Sequence, residues 1–155
     1  MKFAYISSGS DRAKECYEQL AAKHDFVEPQ DADVILALGG DGLMLHALHQ
    51  HLKSGKPIYG LNCGTVGFLM NQLTDDDLVA GVANAEKTCV YPLKMIATSQ
   101  DGRSHQCLAF NEVAVIRYGR QTANLRITIN GIERIPKLVC DGILVATPMG
   151  STAYN

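Results

Sequence analysis

The sequence predicts an α/β chain: a parallel, three-layer N-terminal domain over residues 1–90, followed by an antiparallel β domain over 91–155. Three observations carry this reading. The first half alternates strand-like and helix-like patterns in the order βαβα, the grammar of a parallel sheet with helical crossovers. One of its strands, Val34-Ile35-Leu36-Ala37-Leu38, is apolar at every position, as a strand buried on both faces must be. From Tyr91 onward, strand-like segments follow one another without helical spacers, and Asp101-Gly102 and Asn130-Gly131 signal hairpin turns. The composition shift places the boundary near residues 88–92.

In chain order, Lys2 to Ser7 is the first strand. Ser10 can cap a helix whose Ala13, Cys16, Tyr17, Leu20 and Ala21 recur at three- and four-residue spacing and which ends near His24. After Pro29 and Asp31-Ala32-Asp33 comes the buried strand, which stops at Gly39-Gly40-Asp41-Gly42. Three glycines around one carboxylate allow close approach of a ligand, and a helix from Leu43 to about Lys53 aims its free N–H groups at the turn. That composition makes a phosphate cradle; the simpler alternative is a strand-to-helix turn with Asp41 as N-cap. The turn has neither the Gly-x-Gly-x-x-Gly spacing of a dinucleotide fingerprint nor the Lys of a P-loop. Met44, Leu45, Leu48 and Leu52 fall on one side of the helix, with His46, His49 and Lys53 on the other. His46, His49 and His51 cannot share a helix face and have no Cys or carboxylate at ligand spacing, so solvent-exposed histidines are expected, and no dedicated metal site. His46, about one turn past the glycines, is placed to meet an anion.

Pro57 to Asn62 is the next strand. It too ends in a Gly-rich turn, Asn62-Cys63-Gly64-Thr65-Val66-Gly67-Phe68-Leu69. Two such turns after successive parallel strands are expected side by side at the carboxyl edge of the sheet, where open α/β sheets bind ligands. Gly39, Gly40, Gly42, Gly64 and Gly67 are therefore the candidate phosphate-facing glycines. Thr74 with Asp75, Asp76 and Asp77 reads as a capped helix start rather than a metal cluster.

In the β part, strands are expected at Leu93–Thr98, Cys107–Arg117, Leu125–Ile129 and Ile143–Ala146. Asn111-Glu112 sets an amide and a carboxylate inside an apolar strand, where either would be costly to bury unpaired. The pair therefore faces solvent, a partner or a ligand, or marks an edge-strand bulge. The last turn, Thr147-Pro148-Met149-Gly150-Ser151-Thr152-Ala153-Tyr154-Asn155, is rich in hydroxyls suited to sugars and phosphates.

Composition narrows the partners. With 155 residues, 46% hydrophobic and 19% charged, the chain is long enough for one core or two small halves. A formal net charge of −2 without a basic cluster excludes the electrostatic footprint of a nucleic-acid or anionic-membrane binder. No apolar run reaches membrane-spanning length and the N-terminus does not resemble a signal peptide, so a cytoplasmic protein is expected. Five scattered cysteines, none in Cys-x-x-Cys spacing, argue against a disulfide framework or zinc and are expected to be buried thiols.

Taken together, GGDG at 39–42, NCGTVGFL at 62–69, FNE at 110–112 and DGILVATPMGSTAYN at 141–155 resemble the NAD kinase family in order and approximate spacing. Lipid and sphingoid kinases share the GGDG turn, but the Asn-Glu pair and the Thr-Ala-Tyr-Asn ending point to the dinucleotide branch. The resemblance implies phosphoryl transfer from ATP or inorganic polyphosphate to the 2′-hydroxyl of the adenosine ribose of NAD, giving NADP, with Mg²⁺ or another divalent cation. It implies Asp41 as general base, Gly42 in the phosphate-facing turn, and Asn111 and Glu112 on ribose hydroxyls. Asp141 would contact the nicotinamide side, and Thr152, Ala153, Tyr154 and Asn155 would line the adenine and ribose. His46 stands at the family's basic position after the turn. Met149 departs from the small or hydroxylated residue usual there. Family members form homo-oligomers partly through the β region and continue past the last motif with further strands; the NAD site is expected between the two domains. This sequence stops inside that motif, so an incomplete antiparallel β domain and a truncated product are expected. The alternatives are a catalytically silent dinucleotide-binding or assembly fragment, and a lipid or sphingoid kinase of the same superfamily.

Overall fold

The computed structural model describes residues 1–64, 67–72 and 77–153, with only the backbone of Thr152. It divides into two compact units, Met1–Thr88 and Cys89–Asn155.

The first unit runs β1 (Phe3–Ser7), α1 (Asp11–Ala21), β2 (Val34–Gly39), α2 (Asp41–His51), β3 (Ile58–Asn62), β4 (Asn71–Gln72) and α3 (Leu78–Asn84). The strands form one parallel sheet in the order β1-β2-β3-β4. Phe3 pairs with Val34 on one side and makes an isolated parallel bridge to Phe26 on the other. The chain therefore steps outward from β1 through α1, returns across β1 to β2, and steps the other way through α2 to β3. Right-handed crossovers in opposite directions put the two helices on opposite faces. Packing agrees: Ala13, Cys16 and Leu20 of α1 join Phe3, Val34, Leu36 and Leu38 in one core, while Ile35, Ala4 and Ala32 form a second. Met44 of α2 reaches Gly60, the register partner of Ala37 on the Ile35 face. β2 is thus buried at every position, which is why its sequence shows no alternation.

Local chemistry sets the helix ends. The Ser10 side chain accepts the Ala13 N–H at 3.3 Å and caps α1. α1 ends at Ala21, short of His24, because Lys23 and His24 both donate to the Leu20 carbonyl in a tightened last turn. α2 begins at Asp41, two residues before the expected Leu43. Its N-cap is Gly40, with no side-chain cap bond, so Asp41 is not the cap that the simpler reading required. His46 and His49 are exposed as expected, but His51 is half-buried, and its Nε2 is buried with no hydrogen-bond partner among the described residues. Thr74, Asp75 and Asp76 lie outside the described residues; Asp77 caps α3 by accepting the Val79 N–H at 2.9 Å.

The second unit holds β5 (Leu93–Thr98), β6 (Ser104–Ala109), β7 (Glu112–Ile116), β8 (Ala123–Ile129), β9 (Ile132–Cys140) and β10 (Gly142–Ala146), then a 3-10 turn at Gly150–Thr152. They pair antiparallel as β5 with β6, β7 with β10 and β8 with β9. Asn130 and Gly131 both take positive φ, as a type I′ hairpin requires. Two features depart from the sequence reading. The single strand expected over Cys107–Arg117 breaks at Phe110-Asn111 into β6 and β7. No strand is expected between Ile129 and Ile143, whereas Ile132–Cys140 pairs with β8; Pro136, which cannot donate to a ladder, falls where the register jumps from Leu125↔Leu138 to Ile127↔Ile135.

Candidate functional site

Gly39 and Asn62 are register partners at the carboxyl ends of β2 and β3, so both Gly-rich turns leave the same edge of the sheet. Backbone and side chain then join them. Cys63 N–H donates to the Gly39 carbonyl at 3.0 Å, and Gly64 N–H donates to Asn62 Oδ1 at 2.9 Å. The Asp41 carboxylate swings away from its own helix and accepts the Phe68 N–H on Oδ2 at 2.9 Å and the Leu69 N–H on Oδ1 at 3.0 Å. Hydrogen bonds to a charged acceptor are stronger than neutral ones, so these two fix the carboxylate in place. It also sits in the first turn of α2, where the helix dipole favours negative charge. At the end of β1, the Ser8 N–H donates to the Leu38 carbonyl, and the Ser8 and Ser10 hydroxyls lie 3.1 Å apart. The chain reverses its direction across the sheet between β1 and β2, so this edge is a topological switch point.

The candidate phosphate-facing glycines differ in their surroundings, and none has positive φ. A Cβ on Gly39 would lie 2.8 Å from Leu43 Cδ2 and 3.2 Å from Ser8 Cβ, so that position serves the packing of α2. A Cβ on Gly67 would lie 2.6 Å from Asp41 Oδ1. Gly40 and Gly42 face open space, and Gly64 has one neighbour, Asn62 Oδ1 at 3.9 Å. His46 is exposed on α2, and Phe68 is 87% exposed beside the Asp41 clasp.

In the second unit, the two polar insertions form one cluster. β7 and β10 pair so that Glu112 stands opposite Ala146. Thr147 then donates its N–H to the Asn111 carbonyl at 2.8 Å and its hydroxyl to the Phe110 carbonyl at 2.5 Å, while accepting the Gly150 N–H at 3.0 Å. Thr147 is buried and fully engaged. Glu112 is half-buried, and its Oε2 is buried with no hydrogen-bond partner among the described residues. A desolvated carboxylate oxygen of this kind calls for a donor. Asp141 is 78% exposed at its side chain and is ion-paired, its Oδ1 accepting from Arg117 Nε at 2.5 Å. Arg117 also donates to the Gly119 carbonyl. Ala153 is exposed and closes the 3-10 turn on the Gly150 carbonyl at 3.0 Å. The Thr152 side chain, Tyr154 and Asn155 lie outside the described residues.

The expectation of buried thiols fails for Cys89 and Cys107, which are exposed. Cys16 lies in the α1-side core, and Cys63 packs against that core with its thiol donating to the Leu61 carbonyl at 3.4 Å. Burial, reinforced by the Cys16 contact, pushes the Cys63 thiol up to about 12. An acid whose folded pKa is raised stabilises the fold fully below its unfolded pKa, near 9.0, and that contribution is lost as pH rises from there towards about 12. At neutral pH a thiol reagent is expected to modify Cys89 and Cys107 quickly and to leave Cys16 and Cys63 untouched until the chain unfolds. Labelling of Cys63 in the folded protein as fast as Cys89 would contradict this.

Comparison with known proteins bears on what these clusters are. The family model described as the ATP-NAD kinase N-terminal domain matches residues 2–84. The chain belongs to the NAD kinase family. It is 49% identical over 154 residues to an NAD kinase of Caulobacter vibrioides, which covers 99% of this chain and 59% of that protein. It is 46% identical over 151 residues to an NAD kinase of Brucella suis biovar 1, covering 97% of this chain and 59% of that protein. A crystal structure of yeast NADH kinase complexed with NADH superposes with a TM-score of 0.69 at 19% identity, over 99% of this chain and 60% of that one, and shows the common fold. The chain thus spans about 60% of the length of the relatives it matches. The NAD kinase family model contains both Gly-rich turns, and the full-length relatives extend the match across FNE and the last turn. Sequence reading missed Arg117, Thr147 and the two amides that hold Asp41. Arg117 stood at the end of an apolar run, and Thr147 was one hydroxyl among several, so only pairing geometry distinguishes them.

Proposed function

We propose that this chain carries the site of an NAD kinase, which transfers a phosphoryl group from ATP or inorganic polyphosphate to the 2′-hydroxyl of the adenosine ribose of NAD. The observation that carries the reading is the Asp41 carboxylate, suspended at the carboxyl edge of the sheet by the Phe68 and Leu69 amides. A ribose hydroxyl is a weak nucleophile. Asp41 accepts its proton as the ribose oxygen bonds to the terminal phosphorus and the bond to the leaving phosphate oxygen breaks, giving NADP and ADP or a shortened polyphosphate. Such proton transfer contributes typically ~10²–10⁴-fold in rate. The free amides at the start of α2 face the donor's phosphates, with Gly40 and Gly42 leaving the approach open.

Asn111 and Glu112 take the NAD ribose hydroxyls, the unpaired Glu112 Oε2 receiving one of them. Asp141 turns to the nicotinamide side, and Thr152, Ala153, Tyr154 and Asn155 line the adenine and ribose. His46 supplies an exposed ring beyond the phosphate-facing turn. Among the described residues, no group of three or more His, Cys, Asp or Glu is placed to hold a metal. One carboxylate beside a phosphate site fits Mg²⁺ carried on the donor: Asp41 would share in holding it, and the ion would neutralise phosphate charge. Exposed Val115, Ile116 and Val145 in the second unit support a homo-oligomer built through the β region. Among the described residues, no helix is long and apolar enough to cross a membrane, and the reading places the protein in the cytoplasm.

The test is incubation with NAD, ATP or polyphosphate, and Mg²⁺, with NADP and bound NAD measured together. NADP formation is the expected result. Bound NAD without NADP would instead mark a silent dinucleotide-binding module, and phosphorylation of a sphingoid base would mark a lipid kinase.

A further inference from the structure

We propose that Gly67 is a positioning residue, reserving the space that the Asp41 carboxylate occupies, rather than a glycine that brings the backbone close to phosphate. This rests on the reading of Asp41 as the base. A Cβ on Gly67 would stand 2.6 Å from Asp41 Oδ1, 3.2 Å from Asp41 Cγ and 3.4 Å from Met70 Cγ. Its φ lies outside the left-handed region, so the backbone would accept a side chain and only the space refuses one. The next two residues, Phe68 and Leu69, supply the amides that aim the carboxylate. The second turn therefore acts as a jig: a hydrogen atom at residue 67 lets the acid in, and the two following N–H groups hold it. A methyl group there would push the carboxylate off its amides. A misplacement of about 1 Å costs roughly 10²-fold in rate when a reacting group must meet its target.

The two roles differ in what Gly67→Ala does. Under the positioning role, kcat falls by about 10²-fold while KM for NAD and for the donor stays unchanged. In ¹H–¹⁵N spectra of the unliganded chain, the Phe68 and Leu69 amides shift and exchange faster with solvent. Unchanged amides, or a rise confined to donor KM, would overturn the proposal. The spectra decide the matter whether or not the chain turns over. Should Asp41→Asn retain full turnover, the assignment of the base fails while the amide result still judges Gly67. A stability cycle guards against simple misfolding. Gly67→Ala should destabilise the chain when Asp41 is present and cost much less in an Asp41→Ala background, because the shortened side chain vacates the contested space. Additive costs would contradict the clash.

Discussion

Asp41→Asn is expected to lower NADP formation by about 10²–10⁴-fold while leaving NAD affinity nearly unchanged. The substitution keeps the shape and removes the basic oxygen. The structure adds a second consequence. Both carboxylate oxygens accept a backbone N–H, from Phe68 and from Leu69, at 2.9 and 3.0 Å. An amide has one oxygen, so one of those N–H groups would face an NH₂, a donor against a donor. A stability loss of about 1–3 kcal/mol should therefore accompany the lost turnover, as when a hydrogen bond to a charged group is removed. Urea unfolding measures that loss, and titration with NAD measures affinity. Equal loss of turnover and NAD binding would mean that Asp41 serves structure alone.

Gly150→Ala should be the most destabilising single methyl group in the second unit. A Cβ there would collide with the Asn111 carbonyl oxygen and its carbon, both backbone atoms that cannot rotate aside. Relief requires moving Asn111 or the 3-10 turn. Either motion strains the Gly150 N–H bond to Thr147 Oγ1 and the two bonds Thr147 makes to Phe110 and Asn111. Overpacking costs about 1–3 kcal/mol or more, and a buried hydrogen bond left unmade adds about 1–3 kcal/mol. A loss near the top of the combined range is expected in urea unfolding, with NAD binding lost as the Asn111-Glu112 cluster shifts. Gly119→Ala is the control: a Cβ there meets nothing within 4 Å, and its stability should stay within about 0.5 kcal/mol of the parent.

The sequence was legible where one local rule decided the outcome. Five consecutive apolar residues from Val34 to Leu38 meant burial on both faces, Ser10 meant a cap, and Asn130-Gly131 meant a hairpin. Each follows from one side-chain property acting over a few residues. It was illegible where distant groups compete. Whether Asp41 caps its own helix or reaches a turn 27 residues away depends on where β3 places Phe68, which no local pattern encodes. The break at Phe110-Asn111 arises because Thr147 claims both carbonyls, a contact fixed only by the pairing of β7 with β10. β9 was obscured by Pro136, whose missing N–H is absorbed by an irregular register. Burial of individual cysteines was beyond pattern reading as well: Cys63 follows the half-buried β3 and packs against the core that holds Cys16, whereas Cys107 lies in a two-stranded ladder with an open face. Among the described residues, Phe110 is the one buried hydrophobic side chain of the second unit, so that unit offers little core for a hydrophobic pattern to reveal.

The most direct test of the account is a crystal structure of the chain with NAD bound. The account predicts the 2′-oxygen of the adenosine ribose within about 2.6–3.2 Å of an Asp41 carboxylate oxygen, the reach of proton transfer. NAD bound with that hydroxyl elsewhere, and the Asp41 oxygens still engaged by the Phe68 and Leu69 amides alone, would contradict it.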